Sequence, residues 1–249
     1  MSGHSHWSGI KHKKAINDAK KGKVFSRLAK LIYSAVKEGG GGNPADNPRL
    51  RLVLEKCRQS NMPKDNVKRA IEKATSGSEG YESVSIEGYG QGGAAVIAEC
   101  LTDNTNRTVP EVKKIFEKCG AKIGTPGCVS YMFQRKGVFQ IEKGKAEEER
   151  LMELALEAGA EDVSDEGDFF EIITDPFEFT TVGEMLEKEN IESSMAELQL
   201  VPDNFVEVDA EVARKLMKLI EAIEEHEDVQ NVYSNFDISE EVAQLLEAE

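Results

Sequence analysis

The sequence predicts an α+β protein in which a helical N-terminal domain is followed by two domains of alternating strands and helices. Three observations lead to this prediction. Apolar residues recur every three or four positions up to residue 76, which is the helical period. Residues 76–80 are rich in serine and glycine, as linkers are. Beyond residue 80, short β-rich runs alternate with helical periods, which is typical of mixed α/β domains.

Charge is divided between the same two parts of the chain. Residues 1–75 contain 17 Lys and Arg against 6 Asp and Glu, whereas residues 76–249 contain 14 against 40. The first part therefore carries a net charge of +11 and the second −26, and the total of −15 describes neither. A basic head joined to an acidic body favours a polyanionic partner for the head.

The N-terminal domain is expected to span residues 1–76. Residues 1–14 are rich in Gly, Ser, His and Lys, which predicts an extended arm that orders on binding. Three amphipathic helices follow, beginning near Ala15, at Pro48 and at Pro63. The polar face of the first helix is almost wholly cationic, so the domain is expected to present positive charge to its surroundings.

The remainder is expected to form two ferredoxin-like α/β sandwich domains, one inserted in the other. Residues 137–202 follow the order β-α-β-β-α-β, which is the ferredoxin-like order. The segments 77–136 and 203–240 would together supply a second sandwich of the same type, as a discontinuous middle domain. Residues 241–249 form a short acidic tail.

Three local features of the middle domain are predicted from residue types. The glycine run 88–93 favours a hairpin over a phosphate loop, because the next residues form a strand and a phosphate loop needs a helix N-terminus. A helix covers residues 110–118, with Thr108 and Glu111 as its capping box. A further strand covers residues 128–133.

The sequence offers no constellation for catalysis or for a cofactor. There is no nucleophile elbow, and His226, outside the arm, lies in an acidic helix end. The four cysteines are far apart, and His4 and His6 have no acidic partner nearby, so no metal site is expected. No run of about 18 apolar residues could span a membrane. These features predict a reduced, cytoplasmic protein that is not an enzyme and has neither cofactor nor small-molecule substrate.

The positive indication of function is electrostatic. Residues 11–30 contain eight Lys and Arg residues with Asp18 as the only acid, and a protein that is acidic overall does not need them for solubility. We expect this segment to contact a nucleic-acid backbone; with about six neutralised phosphates, log affinity would fall with log salt at a slope of about −4 to −5. The expected nucleic-acid-binding residues are Trp7, Lys11, His12, Lys13, Lys14, Lys20, Lys21, Lys23, Arg27, Lys30, Lys64, Lys68 and Arg69.

The sequence distinguishes less clearly between DNA and RNA as the bound nucleic acid. Trp7, the only tryptophan, suits stacking on a base, but it suits packing on the first helix equally well. Residues 39–46 are too long a connection for a helix-turn-helix, and a glycine-rich arm with lysines favours RNA modestly over DNA. A different class of function also stays open, a protein-interaction module whose acidic body docks a basic partner.

Several motifs resemble those of the YebC/PmpR family. They occur at residues 3–13, 18–23, 61–66, 87–90, 99–104, 106–108 and 124–133, so the resemblance covers essentially the whole chain. His6 stands where the family usually has Lys, and Gln91 stands where Pro is common. Neither departure breaks the pattern, although His6 makes the arm slightly less cationic at neutral pH.

The resemblance implies a cytoplasmic three-domain protein without a cofactor, known as a probable transcriptional regulator that binds DNA. It also implies kinship with mitochondrial translational activators of cytochrome oxidase, and a link to the ribosome and to relief of stalled elongation. In the family pattern Asp103, Asn104 and Arg107 form a second polar cluster before a helix, for which capping that helix is the preferred role. DNA and ribosomal RNA both remain candidate partners.

Overall fold

The computed structural model describes residues 21–77 and 80–247 of the chain. The predicted arm and the start of the predicted first helix lie outside these residues. The N-terminal domain consists of α1 (Lys21–Glu38), α2 (Pro48–Gln59) and α3 (Lys64–Ser76). Their apolar faces enclose a core that includes Ile32, Leu50, Cys57 and Ala74, as the helical periodicity predicts.

The side chain of Asn47 links the first two helices through hydrogen bonds. Its side-chain oxygen accepts the N–H of Leu50 at 2.9 Å, which caps α2. Its amide nitrogen donates to the carbonyl oxygens of Ala35 and Gly41, both at 2.8 Å. Asn47 therefore satisfies backbone groups at the end of α1 and at the start of α2, and it is fully buried between them.

The middle domain opens with a hairpin of β1 (Glu82–Tyr89) and β2 (Ala95–Thr102), followed by α4 (Thr105–Lys118) and the short strand β3 (Lys122–Ile123). The two hairpin strands pair in antiparallel register from Glu82 opposite Thr102 to Tyr89 opposite Ala95. A 3-10 turn at Gln91–Gly93 joins them. The hairpin prediction for the glycine run is therefore confirmed.

The inserted domain consists of β4 (Phe133–Glu142), α5 (Glu148–Glu157), β5 (Ala160–Asp165), β6 (Phe169–Thr174), α6 (Phe179–Lys188) and β7 (Met195–Pro202). Its sheet has the order β5-β6-β4-β7, and all neighbouring strands are antiparallel. This is the ferredoxin-like arrangement that the order of elements predicts.

The chain then returns to the middle domain through β8 (Val206–Glu207), α7 (Ala210–Glu224), β9 (Val229–Ser234), β10 (Phe236–Asp237) and α8 (Glu240–Glu247). β9 pairs with β2 and completes a sheet of order β3-β1-β2-β9. One face of this sheet packs on α4 and α7, through residues such as Phe116 and Leu219. No helix among residues 21–77 and 80–247 is long and apolar enough to cross a membrane.

The expected start of the middle-domain helix is wrong by five residues. Its cap is Asn104, whose side chain accepts the N–H of Arg107 at 3.2 Å, and Thr108 lies inside the helix rather than at its cap. Pro110 falls in the second turn and removes one backbone hydrogen bond without ending the helix.

The expected strand at residues 128–133 is also wrong, because residues 128–132 form a loop with a 3-10 turn at Ser130–Met132, and only Phe133 belongs to a strand, as the first residue of β4. The buried carboxylate of Glu87 accepts the backbone N–H groups of Gly127, Val129 and Ser130 at 2.8, 2.9 and 2.9 Å. Those N–H groups are therefore unavailable to a strand ladder. Burial alone would raise the pKa of Glu87, but these hydrogen bonds outweigh it and lower that pKa.

Candidate nucleic-acid interface

Part of the predicted interface lies outside the described residues. This part comprises Trp7, Lys11, His12, Lys13, Lys14 and Lys20. Lys21 is the first residue of α1, and the structure describes its backbone but not its side chain. The structure therefore places the six predicted residues from Lys23 to Arg69, and it divides them between two helices.

The three described cations of α1 that were predicted to bind nucleic acid point at the C-terminal end of α7 in the middle domain. Lys23 Nζ donates to the carbonyl oxygen of Glu225 at 3.0 Å, and the guanidinium of Arg27 donates to that of Glu224. Lys30 Nζ donates at 3.0 Å to the carbonyl oxygen of Glu227, which follows the end of α7 by three residues. Carbonyl groups at a helix end lack intrahelical partners and lie at the negative end of the helix dipole. This face of α1 therefore joins two domains.

Lys30 also forms a buried ion pair at this junction. Its ammonium lies 2.5 Å from Asp228 Oδ1, and the two residues are 9% and 1% exposed. Asp228 Oδ2 accepts from Arg107 at 2.8 Å and from the Thr108 hydroxyl at 2.6 Å. Burial alone would raise the pKa of Asp228, but the hydrogen bonds from Lys30, Thr108 and Arg107 hold it well below its usual range. Lys30 therefore compensates a buried carboxylate and does not present its charge to solvent.

Two other cations of the junction, Arg27 and Arg107, also have acidic side chains close to them. Burial lowers the pKa of Arg27, and the nearby Glu224 carboxylate opposes that shift. The hydrogen bond to Asp228 raises the pKa of Arg107. The guanidinium of Arg107 also pairs with the exposed Asp103 at 3.0 Å. Each of these cations is held by the middle domain's own acids and carbonyls.

The second polar cluster, formed by Asp103, Asn104 and Arg107, has a structural role. Asn104 caps α4, Asp103 pairs with Arg107, and Arg107 reaches Asp228 at the domain junction. Sequence reasoning missed Asp228, because residues 224–228 look like a solvated acidic helix end. The available signal was its place directly before Val229, the first residue of the strand β9, which pairs with β2.

The three predicted cations of α3 are exposed. Lys64 and Lys68 are one helical turn apart, and the Lys68 side chain is 76% exposed with Glu72 at 3.9 Å. Arg69 is exposed and donates to the carbonyl of Asp65 and to Oδ1 of Asn66 at 3.2 and 2.6 Å. α3 therefore offers cations that no other domain covers among the described residues.

The described residues show little else that could act as a site. Within them, no three His, Cys, Asp or Glu side chains converge as metal ligands. Cys57 and Cys100 are buried free thiols, and burial raises the pKa of each, to about 11 and about 12. Raised thiol pKa values are typical of structural rather than reactive cysteines.

Comparison with known proteins places the chain in a family. The family model of the TACO1/YebC protein N-terminal domain matches residues 5–77, and that of the TACO1/YebC second and third domain matches residues 81–236. A relative from Persephonella marina is 51% identical over 99% of this chain and 100% of its own length. One from Geobacter sulfurreducens is 50% identical over the same shares of the two chains. Both are named probable transcriptional regulatory proteins.

A solved structure agrees with the sequence comparison. The crystal structure of a conserved hypothetical protein from Aquifex aeolicus superposes with a TM-score of 0.82 at 43% identity. It covers 90% of this chain and 93% of its own. The α+β architecture and the family resemblance inferred from motifs are therefore both confirmed, and the chain belongs to the TACO1/YebC family.

Proposed function

We propose that this protein is a non-enzymatic, cytoplasmic regulator of gene expression that binds nucleic acid through its N-terminal domain. The observation that carries the proposal is the exposed set of cations on α3, Lys64, Lys68 and Arg69, in a chain whose other domains are strongly acidic. Phosphate contacts by exposed Lys and Arg supply most non-specific affinity for nucleic acid. The regulator names of the relatives support the same conclusion.

The proposed contact set follows from how each cation is used. Lys30 and Arg27 are left out because their donors are occupied at the domain junction. Lys23 sits at the rim, exposed but with one bond to a carbonyl. The set therefore consists of the α3 cations and, from the segment before them, Lys11, His12, Lys13, Lys14, Lys20 and Lys21, with Trp7 stacking on a base or anchoring the segment.

The charge of the acidic domains favours one orientation of the protein on the nucleic acid. Residues 76–249 carry 40 acids against 14 cations, so a polyanion is repelled from this part of the surface. The N-terminal domain therefore meets the nucleic acid, and the other two domains face away from it. In that position they are available to a basic protein partner.

Duplex DNA is the first target to test, because the relatives are named probable transcriptional regulatory proteins. Ribosomal RNA is the second candidate, and Trp7 among lysines and glycines is the feature that favours it, since splayed RNA bases stack on aromatic side chains. Direct competition between a DNA duplex and ribosomes for the same labelled protein decides between the two.

The test is a charge-neutralising triple variant, Lys64→Ala, Lys68→Ala and Arg69→Ala. The matched control is Lys113→Ala, Lys114→Ala and Lys118→Ala, which removes three exposed cations from α4 in the middle domain. Binding to labelled duplex DNA and to ribosomes is measured as a function of salt. We expect the α3 variant to reduce the salt slope by about 2 to 3, at about 0.9 per phosphate contact on DNA, and the control to leave it unchanged. Equal slopes for the two variants would refute the proposed contact set.

A further inference from the structure

The outer face of the inserted domain's sheet is more deeply buried than its own helices explain. α5 and α6 pack on the face that carries Phe139 and Ile141. Because strand residues alternate between faces, Val138 and Gln140 belong to the opposite face, where Glu171 lies directly across from Gln140. The second face of a two-layer sandwich usually meets water, yet Val138 is 1% exposed and Gln140 is 3% exposed.

Gln140 marks this face as one that receives a hydrogen-bond donor. Its Nε2 donates to Glu171 Oε2 at 3.2 Å. Its Oε1 is buried and, among the described residues, has no hydrogen-bond partner. A buried amide oxygen without a donor is unfavourable in a folded protein, so the group that covers this face is expected to supply one.

The charge of the face indicates what kind of group that is. Strand register and alternation place four acids on it, Glu142, Asp162, Glu171 and Glu197, against one lysine, Lys136, which already pairs with Glu161 at 2.7 Å. The N-terminal domain already sends one cation there, since Lys56 Nζ lies 2.7 Å from Glu197 Oε1. An occupant that is cationic, carries N–H donors and has some apolar surface for Val138 and the buried Phe169 satisfies all of these features. A nucleic acid does not, because its phosphates are repelled.

We propose that this face is the docking surface for residues 1–20 of the same chain. That segment carries Lys11, Lys13, Lys14 and Lys20 against Asp18 alone, together with Trp7. Twenty extended residues reach about 66 Å, whereas α1, from whose start they depart, has 18 residues and is about 27 Å long. The segment is also tethered, so its effective concentration at the face is high.

Docking has a consequence for binding, and this step rests on the proposed function. The same lysines cannot face the acidic sheet and a phosphate backbone at once. The sheet face therefore competes with nucleic acid for the segment, and the inserted domain restrains binding until the nucleic acid displaces it. The docking itself does not depend on nucleic acid, so the two ideas can fail separately.

Trp7 provides the test, because it is the only tryptophan in the chain. The full-length protein is compared with the charge-reversal variant Glu142→Lys and Asp162→Lys, two exposed positions on the face. The matched control is Glu184→Lys and Glu187→Lys, which makes the same charge change at exposed positions on α6 of the same domain. Circular dichroism and thermal unfolding check that both variants are folded. The readouts are the emission maximum of Trp7 and its quenching by acrylamide, without nucleic acid.

We expect Trp7 to be shielded in the unmodified protein and in the control, and to shift red and quench like a free tryptophan side chain in the face variant. Free-like quenching in the unmodified protein, or identical quenching in both variants, would overturn the docking. So would a molecular mass by light scattering that halves in the face variant, because a second copy would then be the occupant. If Trp7 is released but affinity for DNA and ribosomes does not rise above that of the control, docking stands and the competition with nucleic acid is refuted. If the unmodified protein and both variants bind neither polymer, the proposed function is at fault, whatever the result for docking.

Discussion

Two helices of the N-terminal domain carry similar cations and use them differently. α1 directs Lys23, Arg27 and Lys30 at the end of α7, where carbonyl oxygens and Asp228 hold them. α3 directs Lys64 and Lys68 into solvent. On the sequence these residues form one basic surface, yet among the six of them that the structure describes, the three on α3 are exposed and have no partner from another domain, whereas the three on α1 are hydrogen-bonded to the middle domain.

The difference shows that a cationic side chain can bind a phosphate only where the protein's own acids and carbonyl oxygens have not already paired with it. At the junction, the buried Asp228 requires cations, because a buried carboxylate is tolerated only when it is paired and hydrogen-bonded. Lys30 and Arg107 meet that need. Among the described residues, no acid from another domain pairs with Lys64, Lys68 or Arg69 of α3.

The largest expected effect comes from removing the buried charge at the junction. Asp228→Asn leaves Lys30 and Arg107 beside a neutral amide, which we expect to lower the free energy of unfolding by about 3–5 kcal/mol. Asp103→Asn removes an exposed partner of the same Arg107 and should cost less than about 1 kcal/mol. Urea unfolding followed by circular dichroism measures both variants, and similar small losses would show that the junction is not held by Asp228.

Stability should also depend on pH through the junction. The folded pKa of Asp228 is lowered, so its contribution is present above the unfolded value of about 3.9 and is lost as pH falls below it. We therefore expect the unfolding free energy to decline below about pH 4. Glu87, whose pKa is also lowered, contributes in the same direction.

Variants assign the pH dependence to its source. Asp228→Asn should flatten the acid decline, because the group that takes up a proton on unfolding is gone. Lys64→Met on α3 should leave the shape of the curve unchanged. Thermal unfolding between neutral and acid pH measures this, and an equally steep decline in Asp228→Asn would exclude Asp228 as its cause.

A smaller effect is expected at the helix cap beside the junction. Asn104→Ala removes the acceptor for the Arg107 N–H and should cost about 1 kcal/mol. Asn66→Ala on α3 removes an exposed contact with Arg69 and should change stability by no more than about 0.5 kcal/mol. Unfolding midpoints compare the two. The cap would lose its assigned role if the two substitutions proved equivalent.

The architecture was largely predictable from local signals. The helical period of the first domain, the start of its second helix at Pro48, and the element order of the inserted domain each depend on neighbouring residues. Of the two errors, the helix start is local, since Asn104 caps α4 three residues before Arg107, whereas the loop before β4 is decided by a distant residue. Glu87 draws the N–H groups of Gly127 and Val129 into a loop, and no local pattern at residues 128–133 reveals a carboxylate some 40 positions away.

The candidate site was predictable in composition but not in detail. Charge counting identified the basic head, but it could not separate Lys30 from Lys64, because the distinction depends on Asp228, nearly 200 residues further along the chain. The helix-capping role came from the family resemblance of Asp103, Asn104 and Arg107, and Asn104 fulfils it through a local contact. Long-range pairing of a buried charge is the property that sequence patterns do not carry.

The most direct test of the contrast between α1 and α3 measures the salt dependence of DNA binding for two variants. Lys64→Met with Lys68→Met should reduce the slope of log affinity against log salt by about 2, at about 0.9 per lost phosphate contact, and leave the unfolding free energy nearly unchanged. Lys30→Met, measured under conditions in which it is folded, should leave the slope unchanged while lowering stability. An equal reduction of the slope by Lys30→Met and by the α3 pair would contradict the contrast between the two helices.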